Sequence, residues 1–369
     1  MPSHHQSGVL LSLARDFGFE VVWVVQDGLS GERAEMGWPE FEGEGVELVV
    51  APDGARIKSL MGDRVKGSLH FVGGIFSVRL ARTVFFSGIW RRLNFVFVNE
   101  APLPKEVEIL DKSWASRKIG QLLPLFQHVA KMLFGGRVKA VLAIGKLAEV
   151  AYKDFGWGEK VFPYGYFPRG PGDRFEPVVP EGDFRITYLG QFTHRKGTDV
   201  LVRALSKVAA EGWRADFYGE GDQRLECEQL IGELSFKGKV ETHGYLQWEE
   251  AMLVVASSDV VVVPSRHDGW GALVGEALMR GVPVVATDRT GSSALLGAFW
   301  RGHVVPAGDV DGLRRGLEEV LEMGRLSVVQ RARLVKWGRL IEPESAAKYL
   351  SKIVRWVEGG QRPTAPWVE

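Results

Sequence analysis

The sequence predicts an α/β protein of two domains, each a parallel sheet with helices on both faces. Its 369 residues suffice for about two domains of roughly 150 residues each. Short β-branched runs alternate with helical patterns along the chain, which is typical of parallel sheets. Residues 163–183 contain five prolines and four glycines without periodicity, and they are predicted to link the two halves.

The first half is predicted to open with a loop over residues 1–8 and a helix over 9–17, so the usual first strand is absent. A truncated start and a real adaptation both remain explanations. An amphipathic pattern over 119–133 predicts a helix that either packs on the sheet or lies on a membrane surface. The strands are predicted at residues 21–25, 46–50, 69–72, 83–86, 95–99 and 140–144.

The second half repeats the alternation. Its strands are predicted at 185–189, 215–218, 240–243, 260–263, 282–286 and 302–305. Its helices are predicted at about 198–211, 222–234, 248–257, 272–280, 310–323 and 327–341. The predicted domains are 1–165 and 183–342, with a helix over 343–358 that packs back on the first domain and a disordered tail over 359–369.

The composition is that of an ordinary soluble globular protein, with 25% charged and 45% hydrophobic residues. Lys+Arg and Asp+Glu both number 46, which argues against nucleic acid as a partner. Residues 51–150 hold sixteen basic and seven acidic side chains, which either form a solvated face or contact an anionic acceptor or membrane. A single cysteine, Cys227, excludes a disulfide framework. No apolar run approaches the roughly 20 residues of a membrane span, and no signal peptide is evident. We therefore expect a cytoplasmic protein, in peripheral contact with the inner face of the membrane.

Ligands of open parallel sheets bind beyond the carboxyl ends of the strands, where this chain carries glycines and charges. Gly190 follows the first strand of the second half, and Arg195 and Lys196 precede the next helix, a pattern that suits phosphate. Gly219 and Gly221 follow the next strand. The stretch "PSRHDGWGALVGEALMRGVPVVAT", residues 264–287, places two carboxylates on either side of a glycine-rich helix start.

These motifs make residues 185–305 resemble the donor-binding half of the retaining glycosyltransferases of family 4. The Asp-Gly-Trp-Gly form resembles a subgroup associated with surface polysaccharide assembly. Two positions depart from the family pattern, because Asp268 stands where Glu is common and Gln191 where many members have Arg. The shared motifs are Lys196-Gly197, Gly219-Glu220-Gly221, Pro264-Ser265, the acid-x7-Glu pair Asp268 and Glu276, and Gly281-Val282-Pro283-Val284-Val285.

The resemblance implies the GT-B fold, two Rossmann-like doubly wound domains that face each other across a cleft. It implies transfer of a hexose-type sugar from a UDP- or GDP-linked donor to a glycan or lipid-linked acceptor, with retention and without a cofactor or metal. Lys196 and Arg195 would stabilise the leaving diphosphate, Asp268 would bind sugar hydroxyls and Glu276 the ribose. The other implied donor-binding residues are Gly190, Gln191, Gly219, Gly221, Tyr245, Gly269, Gly271, Ala272 and Leu273.

Simpler interpretations stay open for several of these residues. Asp268 also suits a helix cap, and Glu276 also suits an exposed helix surface. Glu100, which follows a first-domain strand, is a further catalytic candidate, and it or its neighbour Asn99 would contact the donor sugar or the acceptor. His4 and His5, which open the first helix, are the candidate acceptor-binding residues. A sugar-nucleotide-binding protein without transferase activity and a sugar-nucleotide epimerase remain alternatives for the whole chain. A phosphorylase is disfavoured, because it would need a pyridoxal phosphate lysine and a longer chain.

Overall fold

The computed structural model describes residues 4–28, 41, 43–62, 68–74, 78–101 and 131–368. The chain forms two compact units. The first contains the described residues up to Pro168 together with Pro343–Trp367, and the second is Arg169–Glu342. Of the helix predicted over 119–133, the part before residue 131 lies outside the described residues.

The second unit is built on a six-stranded parallel sheet in the order β12-β11-β10-β7-β8-β9. Its central strand β10 consists of four valines that are all buried, as expected for a parallel strand covered on both faces. The strands are β7 (Phe184–Leu189), β8 (Trp213–Tyr218), β9 (Lys239–His243), β10 (Val260–Val263), β11 (Val284–Thr287) and β12 (Gly302–Val305).

Helices connect these strands and bury apolar faces against the sheet. One boundary differs from the predicted one, because the helix expected over 198–211 ends at Leu205, where the Ser206 hydroxyl donates to the Arg203 carbonyl at 2.9 Å. The helices of this unit are α5 (Thr198–Leu205), α6 (Arg224–Glu233), α7 (Trp248–Ala256), α8 (Ala272–Leu278), α9 (Val310–Met323) and α10 (Val328–Gly338).

The first unit contains two parallel sheets. Strands β1 and β2 form a two-stranded sheet, and β3-β4-β5-β6 form a four-stranded one. The strands are β1 (Val21–Val25), β2 (Val46–Val50), β3 (Leu69–Gly73), β4 (Asn94–Glu100), β5 (Val138–Ile144) and β6 (Val161–Tyr164). The helices are α1 (His4–Phe17), α2 (Gly54–Leu60), α3 (Arg79–Trp90), α4 (Lys146–Asp154) and α11 (Pro343–Val357), of which α11 packs against α1.

Several predictions for this unit were wrong. Residues 4–8, predicted as part of a loop, form the start of helix α1. The strand expected over 83–86 lies inside helix α3, because its apolar run belongs to a helical stripe in which Ala81, Phe85 and Gly88 face the core at intervals of three or four residues. The short β-branched and aromatic run could not be distinguished from a strand by composition alone. Strand β6 also begins before, and runs into, the segment predicted as a linker.

The tail was predicted to be disordered, but it packs on the first unit. Arg362 donates to the Val161 carbonyl at 2.7 Å and lies over the Phe162 ring at 4.2 Å. Trp367 is buried between the rings of Phe167 and Tyr349. The tail is therefore ordered by the contacts of Arg362 and Trp367, despite its proline- and glycine-rich composition. Among the described helices, none is long and apolar enough to cross a bilayer.

Candidate functional site

The candidate site lies at the carboxyl edge of the six-stranded sheet, between β7 and β10. The chain runs outward from β7 through β8 to β9, and then returns to the other side of β7 to form β10. Neighbouring strands whose connections leave in opposite directions create a crevice, and ligands of doubly wound sheets bind there. The loop 190–197, which follows β7, and the loop 264–271, which follows β10, flank this position.

Glycines let the loops after β7 and β8 pack backbone against backbone. A Cβ on Gly219 would lie 2.0 Å from the Gly190 carbonyl oxygen, and one on Gly221 would lie 2.3 Å from that of Phe192. The Phe192 amide donates to the Glu220 carbonyl at 2.9 Å. Loop packing therefore accounts for glycine at 219 and 221, and their contact with a donor stays a prediction.

The loops after β7 and β10 are joined in the same way. Gly197 has a φ of +70°, and a Cβ there would lie 2.3 Å from the Pro264 carbonyl oxygen. The Arg266 amide donates to the Arg195 carbonyl at 2.9 Å, and the Arg195 guanidinium donates to the His267 carbonyl at 3.3 Å. Arg195, predicted to contact diphosphate, thus also holds the two loops together.

A bidentate ion pair strengthens this junction. The two terminal nitrogens of Arg266 donate to the carboxylate of Asp199 at 2.6 and 2.7 Å. Burial of Asp199 opposes its ionisation, but the guanidinium outweighs burial and lowers the pKa of the Asp199 carboxyl. The sequence analysis missed this pair. The sequence signal was Arg266 within the loop 264–271 and Asp199 shortly after the loop 190–197.

The junction brings two predicted catalytic residues together. The Lys196 ammonium lies 2.6 Å from Oδ2 of Asp268, with 22% and 13% of the two side chains exposed. The backbone of Asp268 is fixed, because its amide donates to the Arg289 carbonyl and its carbonyl accepts from the Gly291 amide, both at 2.9 Å. A partly exposed cation and acid therefore meet at the crevice between β7 and β10.

The structure also decides between the simpler interpretations of the two acids. Helix α8 is capped by Gly271, so Asp268 is not its cap. Glu276 is only 7% exposed, so it is not a solvated surface charge. Burial raises the pKa of Glu276, although the charge of Arg280, which donates to the Glu276 carbonyl oxygen at 3.1 Å, partly offsets this. Glu276 is therefore a nearly buried acid whose ionised form is disfavoured by burial.

The remaining predicted donor residues lie on the same edge of the sheet. Gln191 is exposed beside Gly190, and its carbonyl accepts from the Tyr188 hydroxyl at 2.7 Å. Tyr245 is half exposed in the loop after the outer strand β9. Gly269 is buried, whereas Gly271, Ala272 and Leu273 are half-buried at the start of α8. The Gly271 carbonyl accepts from the Ser292 hydroxyl at 2.8 Å, which fixes this turn.

The predicted acceptor-binding residues, His4 and His5, and the catalytic candidate Glu100 lie in the first unit. His5 stacks on Tyr166 with ring centroids 5.8 Å apart, and the Tyr166 hydroxyl donates to Glu100 at 2.5 Å. His5 and Glu100 are thus joined through a tyrosine that the sequence analysis missed, although "PYGYFP" is an aromatic run within the predicted linker. His4 begins α1, and its side chain lies outside the described residues.

Acidic groups of metal-ligand type already have partners in the protein. Asp216, Glu241 and His243 lie close together, but Arg214 donates to both oxygens of Asp216 at 2.6 and 2.8 Å. The Asp-x-Asp triplet that begins at Asp309 is the start of α9, where that side chain accepts from the Gly312 amide at 2.9 Å. These contacts favour structural roles for both groups.

A family model described as glycosyl transferases group 1 matches residues 171–359. Lipopolysaccharide core biosynthesis glycosyltransferase LpsE of Rhizobium meliloti is 27% identical over 190 residues, 50% of this chain and 53% of LpsE. 2-Deoxystreptamine glucosyltransferase of Streptomyces kanamyceticus is 29% identical over 144 residues, 38% of this chain and 37% of that protein. The match thus spans about half or less of the length of these curated relatives.

Solved structures resemble nearly the whole chain. A glycosyltransferase from Rickettsia africae superposes with a TM-score of 0.65 at 14% identity, covering 97% of this chain and 95% of its own. Anabaena Alr3699/HepE in complex with UDP and glucose superposes with a TM-score of 0.64 at 16% identity, covering 96% and 97%. At these identities the likeness establishes the fold.

We predict that Gly219→Ala destabilises the second unit by about 1–3 kcal/mol, because the added methyl group meets the Gly190 carbonyl oxygen. Gly232→Ala is the matched control, since a Cβ at that helical position meets nothing within 4 Å and should stabilise by about 0.5–1 kcal/mol. Urea unfolding measures both changes. Equal free energies of unfolding for the two variants would contradict the loop contact.

Proposed function

This chain belongs to the glycosyl transferases group 1 family and has the GT-B fold, and we propose that it transfers a hexose-type sugar from a nucleotide diphosphate donor, with retention. The acceptor is a glycan or lipid-linked molecule of cell-surface polysaccharide biosynthesis. The observation that carries the proposal is the meeting of Lys196 and Asp268 at the crevice between β7 and β10. Relatives named for lipopolysaccharide core biosynthesis support the acceptor class.

The main chemical demand is to stabilise the charge that develops on the leaving diphosphate. As the bond from the anomeric carbon to the phosphate oxygen breaks, its electron pair stays with the diphosphate. Lys196 supplies a cation at this point, and Arg195 supplies a second one from the same loop. The amides of Gly271 to Leu273 add donors at the start of α8. We propose that these groups act without a metal or cofactor.

The ion pair at the crevice supports a separate role for Lys196 and for Asp268. Asp268 neutralises Lys196, so neither charge is left alone in a partly buried position. A diphosphate would compete with Asp268 for the ammonium. The freed carboxylate oxygen would then accept hydrogen bonds from hydroxyls of the transferred sugar. Donor binding and exposure of the sugar-binding acid are therefore coupled.

Glu276 completes the donor site from inside helix α8. Burial makes the ionised form of the Glu276 carboxyl less stable, and hydrogen bonds donated by two ribose hydroxyls would stabilise that form. The structural neighbour Alr3699/HepE, which was crystallised with UDP, makes a UDP-linked donor the first to test, with a GDP-linked donor second.

The first unit presents a surface suited to an anionic membrane and hence to a lipid-linked acceptor. Trp90 is 89% exposed at the end of α3, and Arg92 follows it. Met132 is exposed on the segment that includes Phe134. This segment lies next to α3, because the ring centroids of Phe134 and of Phe86 in α3 are 6.2 Å apart. Aromatic and basic side chains together favour the headgroup region of a bilayer. We therefore propose a cytoplasmic enzyme in peripheral contact with the inner face of the membrane.

The activity test measures nucleoside diphosphate release from UDP-, GDP- and dTDP-sugars, with acceptor extract and with EDTA present. We expect release from one donor class, and a loss of about 100-fold or more in Lys196→Met and in Asp268→Asn. The control variants Lys207→Met and Asp311→Asn break an exposed 3.1 Å ion pair and should keep full activity.

Binding of a nucleotide sugar without any release would instead favour the non-catalytic alternative, and a new sugar nucleotide without release would favour an epimerase. Full turnover by Asp268→Asn would refute the assignment of that residue.

Glu276 should make donor binding depend on pH. Because burial raises the pKa of Glu276 and the ribose hydroxyls need the ionised form as acceptor, UDP-glucose affinity should fall as the pH drops through that raised pKa. Glu276→Gln should weaken binding at neutral pH and abolish this acid-side loss, as calorimetry between about pH 5 and 8 would measure. Glu250→Gln, at the start of α7, is the control.

Glu276 should also make the free energy of unfolding depend on pH, in a direction set by its raised pKa. An acid whose pKa is raised by folding contributes most stability below its unfolded pKa, and that contribution is lost as the pH rises through the folded pKa. Glu276→Gln should therefore increase the free energy of unfolding at neutral pH while it weakens binding. A variant that is both less stable and unchanged in affinity would contradict the donor-site role.

Membrane contact is tested by cosedimentation with phosphatidylglycerol and phosphatidylcholine vesicles. We expect binding to the anionic vesicles only, reduced about fivefold by Arg92→Gln and further by Trp90→Ala. Phe299→Ala, which removes an exposed aromatic ring from the second unit, should change nothing. Equal binding to both kinds of vesicle would refute an electrostatic contact.

A further inference from the structure

Helix α7 packs against α8, the helix that carries Glu276, and its first residue is the half-buried Trp248. This end of α7 is fixed, because the Glu250 side chain accepts from the Gln247 amide at 3.2 Å. The indole nitrogen of Trp248 is buried and has no hydrogen-bond partner in the described chain. An indole N–H is only a donor, and a buried donor without an acceptor destabilises a fold. Packing alone therefore does not account for tryptophan at this position.

Arg280 joins Trp248 to the end of α8. It lies four residues after Glu276 and is only 5% exposed. One terminal nitrogen of its guanidinium donates to the Glu276 carbonyl oxygen at 3.1 Å, and the guanidinium lies 5.9 Å from the centre of the Trp248 ring. Burial lowers the pKa of Arg280, and the charge of Glu276 opposes this. A buried cation, a buried acid and an indole therefore lie together where α7 meets α8.

Arg280 and Trp248 act on the Glu276 carboxyl in the same direction. Burial raises the pKa of that carboxyl, whereas the charge of Arg280 and the indole N–H of Trp248 lower it. The indole is thus directed at the carboxyl, although the two groups do not have the length and angle of a formed hydrogen bond. Both residues therefore favour the ionised form of an acid that burial disfavours.

The other elements packed against α8 add no competing charge to Glu276. Strands β10 and β11 and the turn 291–296 contain no ionisable side chain. The remaining charged side chains of α7, of α10 and of the turn after it are exposed or paired: Glu249, Glu250, Arg333 and Lys336 are exposed, Arg331 pairs with Asp259 at 3.3 Å, and Arg339 pairs with Asp173 at 3.3 Å. Protonation of Glu276 thus depends on burial, Arg280 and Trp248.

We propose that Trp248 and Arg280 are positioning residues of the donor site, which hold the Glu276 carboxyl ionised and directed toward the ribose of the nucleotide. The inference rests on the proposed binding of ribose by Glu276. A carboxylate offers about four lone-pair positions, so two ribose hydroxyls leave room for the indole N–H. Trp248 and Arg280 thus act on the nucleotide through Glu276, without touching it themselves.

The test measures how UDP-glucose affinity depends on pH, by calorimetry between about pH 5 and 9. Trp248→Phe keeps an aromatic ring and removes the N–H, so the acid-side loss of affinity should move to higher pH by about one pH unit. Arg280→Met should move it in the same direction, and Arg280→Lys, which keeps the charge, should move it less. Trp300→Phe is the matched control, because the Trp300 ring also lies 4.2 Å from a guanidinium, that of Arg333, and should leave the pH profile unchanged.

A double-variant cycle tests whether Trp248 acts through Glu276. In a Glu276→Gln chain, which has no titrating group at this position, Trp248→Phe should change UDP-glucose affinity by less than about twofold at any pH. A loss of the same size in both backgrounds overturns the proposal, because Trp248 then contacts the nucleotide directly or has only a structural role. Urea unfolding confirms that each variant is folded, and if Trp248→Phe does not fold, the two Arg280 variants decide the question alone.

The same measurements separate this inference from the proposed function. If Glu276→Gln abolishes the acid-side loss but Trp248→Phe and Arg280→Met leave it at the same pH, the donor site stands and this inference is overturned. If UDP-glucose does not bind, or if Glu276→Gln leaves the pH profile unchanged, the proposed role of Glu276 is refuted and the inference falls with it.

Discussion

Close contact between glycine backbones at the carboxyl edge of the six-stranded sheet determines the geometry of the candidate site. Gly197 lies against the Pro264 carbonyl, and Gly219 lies against that of Gly190, at distances that no side chain permits. The loops after β7, β8 and β10 therefore form one block. The Arg266 and Asp199 ion pair fixes two of these loops further. Lys196 and Asp268, which are 72 residues apart in sequence, meet at 2.6 Å as a consequence.

The joined loops stabilise the second unit and also place charged side chains at the crevice, partly withdrawn from water. A lysine and an aspartate that are partly withdrawn from water stabilise one another, but each also carries a charge that a sugar diphosphate can use. For Glu276, burial raises the pKa of the carboxyl more than the nearby charge of Arg280 lowers it. A buried acid that opposes folding at neutral pH is typical of a position retained for binding. The proposed donor site thus contains one ion pair, Lys196 and Asp268, and one nearly buried acid, Glu276.

The sequence predicted the second unit better than the first, for physical reasons. Its strand β10 consists of four buried valines, and glycine motifs mark the ends of several strands. In the first unit the run at 83–86 looks like a strand but belongs to the buried stripe of α3, because a four-residue run does not define a period. The tail was predicted to be disordered from its composition, yet Trp367 is buried against Phe167 and Tyr349, a contact that composition does not reveal. The Arg266 and Asp199 pair and the Tyr166 and Glu100 contact join residues that are distant in sequence, and a single sequence gives no distance between them.

The most direct measurement of the central claim is a crystal structure of the chain with UDP and, separately, with a UDP-sugar. The account requires the diphosphate to lie in the crevice between β7 and β10, with a phosphate oxygen at about 3 Å from the Lys196 ammonium. Asp268 should then have exchanged Lys196 for a sugar hydroxyl in the sugar-bound form, and the ribose should contact Glu276. A nucleotide bound elsewhere, or a Lys196 and Asp268 pair that stays closed with the diphosphate out of reach, would contradict it.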